Sequence, residues 1–365
     1  MTVSVLSDSL ISPLGMGSEI NFSAIREGAS GITLIEDRAL SNVPFYGARV
    51  VDNQKNGTLT RFEYMSVHCI EDALQKSSRL IDFEKTVFIL ATTKGNIDLI
   101  DGDKHDPGLL LHIAADRIAK HIGVKRSMVV SSACTSGVMA VILAKRMLTE
   151  KHFDHAIVTG TDLLTRFVVS GFQSLYALSH EPCKPFDVDR KGLNLGEASA
   201  TVILSTVHRT AYSILGSGAT NDSNHISGPS RTGEELSLAI RQALINSQLH
   251  AEDIDFISAH GTATPYNDEM EAKAFNHAGV GHVPVHSLKG YFGHTLGAAG
   301  LVEIVMSLQS LKHDELLATK GFSKLGVSLP LNVIDRPHKK PLKAFLKTAS
   351  GFGGCNAAAI IKKEL

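Results

Sequence analysis

The sequence predicts a layered α/β protein, and three observations carry that prediction. Short β-branched runs alternate with longer helix-like stretches from one end of the chain to the other. Apolar residues make up 43 % and charged residues 20 %, an ordinary globular balance. No Pro- or Ser-rich linker, low-complexity tract or short-period repeat interrupts the pattern. Alternation of this kind points to mostly buried sheets covered by helices.

Taken in order, strands are expected over 86–91, 128–132, 156–161, 200–205, 253–259 and 357–362. Helices are expected over 62–77, 109–121, 136–150, 234–247 and 297–312. The stretch 178–195, rich in Pro, Asp, Lys and Gly, reads as loop, and 211–229 as the crossing into a second half. A chain of 365 residues holds two ordinary domains or one large unit, and either buries a substantial core. The expected division is 1–210 and 211–365.

Charge and cysteine usage narrow the function classes. A net charge of −1 leaves no whole-molecule footprint for nucleic acid or an anionic membrane. No charged n-region followed by an apolar h-region opens the chain, and no uncharged apolar run approaches the ~20 residues of a membrane helix. Cys69, Cys134, Cys183 and Cys355 are scattered, with no CxxC pair, which suits a reducing cytoplasm.

Residues 128–150 read MVVSSACTSGVMAVILAKRMLTE. A β-branched run ends in small residues around Cys134 and gives way to a segment apolar on nearly every face: strand, tight turn, buried helix. Unpaired N–H groups and the dipole at a helix start favour thiolate, and the Cys134 N–H can face a developing oxyanion. Cys134 is therefore either a nucleophile or a packed structural cysteine at a strand–helix junction. The other three cysteines lack this setting.

Two histidines sit on glycine turns. In DIDFISAHGTATPYND (253–268) an apolar run delivers His260, and in HSLKGYFGHTLGAAGLVE (286–303) another leads past Lys289 to His294. Loss of CO₂ from a malonyl thioester leaves enolate charge on the thioester oxygen, and two neutral imidazole N–H donors would stabilise it. A hydrolase triad would want one histidine backed by a carboxylate. Zinc would want ligand pairs at short spacing, and no two of Cys134, His260 and His294 have it, so no metal is expected.

SGFGGCNA (350–357) allows left-handed backbone and close approach; it can supply a second oxyanion N–H, with the Phe352 ring as a wall over the thiol. It runs into an apolar strand, not a phosphate-cradling helix. In KPFDVDRKGLNLGEASATVIL (184–204), Lys184, Arg190 and Lys191 are candidate contacts for an acidic partner, or simply a solvated face.

Together SSACTSG, KPFDVDRKGLNLGEA, SAHGTATPYND, SLKGYFGHTLGAAGLVE and SGFGGCNA closely resemble the β-ketoacyl-(acyl carrier protein) synthases, in that family's order, and ISPLGMG (11–17) resembles its N-terminal turn. The resemblance implies the thiolase fold: two duplicated α/β halves in a five-layered α-β-α-β-α unit that dimerises, with itself or with a related ketosynthase-like subunit. It implies Cys134 as acyl acceptor, His260 and His294 as the decarboxylating pair, and Lys289 as organiser with Glu303 its ionic partner. Asp268 matches a structural acid of the site. Thr262 and Thr264 match positions that hydrogen-bond a phosphopantetheine arm. The N–H groups of Cys134 and Phe352 match the oxyanion hole, Phe352 and Gly353 the acyl-pocket gate, and Phe172 a second aromatic. No cofactor is implied beyond the phosphopantetheine arriving on acyl carrier protein. The chain is shorter than usual members, and Gly290 and Phe292 replace a Ser and a Thr. Those departures point to a polyene or polyketide pathway and a reshaped channel at Phe292.

Overall fold

The computed structural model describes residues 2–51, 58–77, 80–101, 105–224 and 226–364. Among the described residues a 12-stranded sheet runs through the molecule. Eleven strands lie along its path: β1 (Val3–Ser12), β2 (Thr86–Ala91), β3 (Arg126–Val130), β4 (His155–Asp162), β5 (Ala198–Ser205), β6 (Tyr212–Asn221), β7 (Phe256–Ser258), β8 (Pro284–His286), β9 (Asn332–Val333), β10 (Ala344–Ser350) and β11 (Cys355–Lys363). Their spatial order is β9-β8-β7-β10-β11-β6-β1-β5-β4-β2-β3.

That order contains a duplication. β5 is antiparallel to β1 and β4, while β2 runs parallel to β4 and β3. In the second half β11 is antiparallel to β6 and β10, while β7 runs parallel to β10 and β8. The halves join where β1 and β6 pair only at Val3↔Ile214 and Ser4↔Ser213.

Helices repeat in the same places. Helices α1 (Arg61–Ser77) and α2 (Leu111–His121) pack on the first half-sheet, and α4 (Glu234–Ser247) and α5 (Pro265–His277) belong to the second. Between the half-sheets lie α3 (Ser136–Thr149) and α6 (Ala299–His313), which touch each other and strands of both halves. The stacking is α-β-α-β-α. Strand residues alternate between two apolar environments: Val87 and Ile89 face the central layer, Phe88 and Leu90 face α1 and α2. Both faces are covered, so the strands read as continuous apolar runs. Every residue of α6 from Ala299 to Leu311 is buried, which explains its all-round apolarity.

Three expectations need correction. The stretch 211–229 opens with the ten-residue strand β6, disguised by glycines. They are there because α4 lies against them: a Cβ on Gly216 would sit 2.0 Å from Ala243 O, and one on Gly218 2.1 Å from Ala239 O. The strand expected over 253–259 shrinks to Phe256–Ser258, because Ala251–Asp253 forms a one-turn helix. The helix expected from 297 starts at Ala299, after a 3-10 turn over Leu296–Ala298. Among the described residues no helix is long and apolar enough to cross a membrane.

Gly216→Ala should destabilise the protein by about 1–3 kcal/mol, because α4 must lift off the sheet to admit the methyl. An unchanged denaturant midpoint would contradict this packing.

Candidate active site

The thiol, both imidazoles and their supports lie where strands of the two halves end. After β3, Ala133 adopts the left-handed region, φ 45°, an unusual conformation for a residue with a Cβ. Ser136 holds the turn: its hydroxyl donates to Ala133 O at 2.6 Å and accepts the Ser132 N–H at 2.9 Å. The small polar residues around Cys134 thus lock it in place, and α3 starts two residues on. Cys134 is 8 % exposed and opens into a cavity of about 420 Å³, also lined by His260, His294, Thr262, Thr264 and Phe352.

His260 follows β7. The Glu271 carboxylate of α5 accepts the backbone N–H of His260 at 2.8 Å and of Gly261 at 2.6 Å, so the loop is clamped beneath the ring. His294 follows β8, at a place equivalent to that of Cys134: each stands between the third strand of its half and a central helix. The His294 N–H donates to Asn194 O at 2.7 Å, and its carbonyl accepts the Gly196 N–H at 3.0 Å. Two glycines permit this approach. A Cβ on Gly196 would lie 1.9 Å from Phe292 O, and Gly293 takes φ 67° against Leu195. The GLNLGE segment is therefore the holder of His294.

One potential ligand atom from each of Cys134, His260 and His294 lies within 4.8 Å of the others, and the ring centroids are 5.1 Å apart, edge to face. The Leu296 N–H donates to His294 Nδ1 at 3.2 Å. Lys289 Nζ stands 3.2 Å from His260 Nδ1, and an ammonium has only donors to offer. Both Nδ1 atoms therefore accept, and both rings carry their proton on Nε2. Burial, reinforced by the Lys289 charge, holds both histidines well below their ordinary pKa, so the rings are neutral. Cys/His/His can in principle hold zinc, but a metal-bound Nε2 needs its lone pair free and Nδ1–H donated outward. The hydrogen bonds here enforce the opposite tautomer.

Lys289 is fully buried, with Nζ 2.6 Å from Glu303 Oε1 and donating to His260 O. Glu303 is thus its partner. Burial pushes the Cys134 thiol up to about 12 against the pull of Lys289, so the resting group is a thiol. The thiolate expected from the helix start is overridden, because desolvation of the anion in this closed site is the larger effect.

The remaining candidates divide. Thr262 and Thr264 share a hydrogen bond of 2.9 Å between hydroxyls at the cavity wall. The Phe352 ring stacks on Phe172 with centroids 6.0 Å apart, and both line the cavity. A Cβ on Gly351 would fall 3.0 Å from Cys134 N, so the SGFGG loop rests on the thiol turn. Gly353 donates its N–H to Ile226 O at 2.6 Å and has none left for an oxyanion; its contribution is the left-handed φ of 81° behind Phe352. Asp268 accepts from Phe186 N at 2.7 Å and Ala263 N at 3.2 Å, bracing the site without lining the cavity. Lys191 lines the mouth, 3.2 Å from Glu181, whereas Arg190 donates to the carbonyl oxygens of Asp187 and Gly326, and Lys184 stands 3.8 Å from Glu181. Phe292 faces the hydrophobic core, not the channel, and Gly290 is required because a Cβ would meet Lys320 O at 2.6 Å. The reshaped channel expected from Phe292 is not found.

Sequence reasoning missed Glu271, Asp162 and Lys347. Asp162, at the end of β4, accepts from Gly297 N at 2.7 Å and Thr92 Oγ1 at 2.8 Å, tying the turn after His294 to the first half. Asp162, a lone acid closing an apolar run, was the one with a local signal; Glu271 sits among Asp268, Glu269 and Lys273.

Comparison with known proteins agrees with this geometry. The Beta-ketoacyl synthase N-terminal domain matches residues 102–209 and the Beta-ketoacyl synthase C-terminal domain matches 212–323. A putative polyketide beta-ketoacyl synthase 1 of Streptomyces virginiae is 30 % identical over 289 residues, covering 73 % of this chain and 69 % of that protein. The mitochondrial 3-oxoacyl-(acyl-carrier-protein) synthase of Arabidopsis thaliana is 30 % identical over 282 residues, 70 % of this chain and 60 % of that protein. The match thus spans less than two thirds of that relative. A ketosynthase solved in complex with its chain length factor from Xenorhabdus doucetiae superposes with a TM-score of 0.89 at 25 % identity, covering 99 % of this chain and 98 % of that one. The fold is the thiolase fold of condensing enzymes. The chain belongs to the beta-ketoacyl synthase family.

A buried thiol makes a testable prediction. The rate of Cys134 alkylation by iodoacetamide should keep rising about tenfold per pH unit between about pH 7 and about pH 9. A plateau in that window would show a thiolate already formed.

Proposed function

We propose that the chain is a β-ketoacyl-(acyl carrier protein) synthase catalysing decarboxylative Claisen condensation. The observation that carries this reading is a buried thiol within 4.8 Å of two buried imidazoles whose Nδ1 atoms face Lys289 Nζ and the Leu296 N–H, which leaves Nε2 of each ring to carry the proton. In the first half-reaction Cys134 Sγ attacks the acyl thioester, its proton leaving with the departing pantetheine thiol. In the second, the bond between the malonyl carboxylate and its methylene breaks and CO₂ departs. The electron pair becomes an enolate whose oxygen accepts from the His260 and His294 Nε2–H groups. Its carbon attacks the acyl carbonyl on Cys134, whose oxyanion the N–H groups of Cys134 and Phe352 would hold. Collapse breaks the C–S bond and releases Cys134 as the thiolate, which takes a proton from water to become the resting thiol again. Neutral imidazoles suit this work, since they donate to the enolate without having to take up a proton.

Acyl carrier protein is the proposed substrate carrier, in keeping with the name of the Arabidopsis relative, and its phosphopantetheine would pass Thr262 and Thr264. No resident cofactor is proposed. A dimer is proposed, either of two copies or with a related subunit, as the Xenorhabdus ketosynthase has with its chain length factor. The halves divide as 1–210 and 211–365, a boundary supported by β5 ending at Ser205 and β6 starting at Tyr212. Four unpaired cysteines support a reducing cytoplasm. The pathway is fatty-acid synthesis or a polyketide or polyene route.

Intact-protein mass spectrometry with acyl carrier protein thioesters of several chain lengths should show an acyl adduct on the wild type and none on Cys134→Ala. Hydrolysis of the thioester without condensation product would favour a thioesterase instead. Cys134→Gln should decarboxylate malonyl carrier protein without condensing. His294→Ala should still acylate Cys134 but decarboxylate about a hundredfold more slowly or worse; near-normal condensation would contradict its role.

A further inference from the structure

Lys347 is a charged residue in the middle of β10, a strand whose every residue is buried. Its side chain shares the face of Phe345 and Ala349, which point into the central layer toward α6. There Nζ donates to the carbonyl oxygens of Ser258 at 3.0 Å, Ala259 at 3.2 Å and Thr348 at 2.5 Å, and pairs with Glu303 Oε2 at 2.7 Å. Every one of these partners is an acceptor. A neutral amine would turn its lone pair on one of them, so this cage suits an ammonium ion: burial lowers the Lys347 pKa, and the Glu303 carboxylate opposes that pull.

Glu303 therefore holds two buried cations at once: Oε1 takes Lys289 at 2.6 Å and Oε2 takes Lys347 at 2.7 Å. An ion pair at each oxygen restrains the carboxylate against rotation about its Cγ–Cδ bond, which helps to fix where Lys289 stands. The Ser258 and Ala259 carbonyls immediately precede His260, so Lys347 also holds the end of β7 that delivers the imidazole. No part of the condensation chemistry above uses Lys347, yet it holds both the ionic partner of Lys289 and the two residues that precede His260.

We infer that Lys347 is a positioning residue for decarboxylation: its ammonium fixes Glu303, and through it Lys289, so that His260 keeps its Nε2–H tautomer aimed at the enolate. This inference rests on the condensing-enzyme reading. A second consequence is electrostatic. The groups around the two imidazoles are Lys289 on the turn after β8, Glu303 on α6, Glu271 and Asp268 on α5, Lys347 on β10, the Cys134 thiol on its turn, and Asp162 at the end of β4. Burial is the main reason His260 and His294 stay neutral, and Lys347 adds to it after Lys289. Removing it makes imidazolium easier to form, so the proton is taken up at higher pH and the acid limb of the activity profile moves up.

The experiment compares full-length wild type with Lys347→Met, a replacement of similar length and shape. The readouts are acylation of Cys134 by mass spectrometry and the pH profile of malonyl carrier protein decarboxylation. The expected result is acylation within about threefold of wild type, kcat for decarboxylation lowered at least about tenfold, KM little changed, and the acid limb displaced upward. Unchanged decarboxylation, or acylation and decarboxylation falling in equal proportion with no displaced limb, would overturn the inference. Should Lys347→Met not fold, Lys347→Arg decides. Retaining the cation, it should keep the wild-type acid limb and most of the decarboxylation rate. A folded Arg variant with Met-like loss of both half-reactions would overturn the role. Absence of decarboxylation in the wild type would sink the functional reading itself, and this inference with it.

Discussion

A single buried ammonium group, Lys289 Nζ, sets the chemistry of this site. Removing a charge from water is strongly unfavourable unless it is paired and fully hydrogen-bonded. Glu303 and the His260 carbonyl meet that need at one side of the ammonium. At the other, Lys289 meets His260 Nδ1 and obliges it to accept. Near pH 6.5 an unperturbed histidine would be half protonated and its tautomer free. Here burial and the neighbouring cation keep both rings neutral, and Lys289 at His260 and the Leu296 N–H at His294 fix the tautomer that donates from Nε2.

The duplicated architecture explains how so many strained or buried polar groups can meet. Each half ends its third strand in a tight turn ahead of a buried central helix, and the two helices pack together. The thiol turn and the His294 turn are therefore brought face to face by the fold itself. Polar ties cross the junction: Asp162 reaches Gly297, and the Asn194–Gly196 backbone grips His294. Both ties depend on glycines, Gly297 in one and Gly196 and Gly293 in the other, and the thiol turn itself depends on the left-handed Ala133.

Much of this was legible in the amino-acid sequence, for identifiable reasons. Strands buried on both faces give continuous apolar runs, so β2 was read to the residue and β4 and β5 nearly so. Cys134, His260 and His294 stand on glycine-flanked or small-residue turns at strand ends, which is a local signature. The roles expected of Lys289 and Glu303 needed a family resemblance, because nothing local distinguishes a buried lysine from a solvated one. Lys347 and Glu271 escaped for the same reason: each is an ion whose partners are distant in the chain, Glu303 for one and the His260 backbone for the other. Strand β6 was hidden because its glycines record the closeness of α4, a tertiary fact. Phe292 misled in the opposite direction, since a bulky residue beside a catalytic motif here simply fills the core.

The protonation of the two rings decides whether this chemistry is available to the site. Nitrogen-15 NMR of histidine-labelled protein, with the signals assigned by their loss in His260→Gln and His294→Gln, reads it directly. At neutral pH and for at least about a unit below it, both residues should show an unprotonated Nδ1 and a protonated Nε2. A doubly protonated ring, or a proton on Nδ1 of either residue, would contradict the mechanism at its centre.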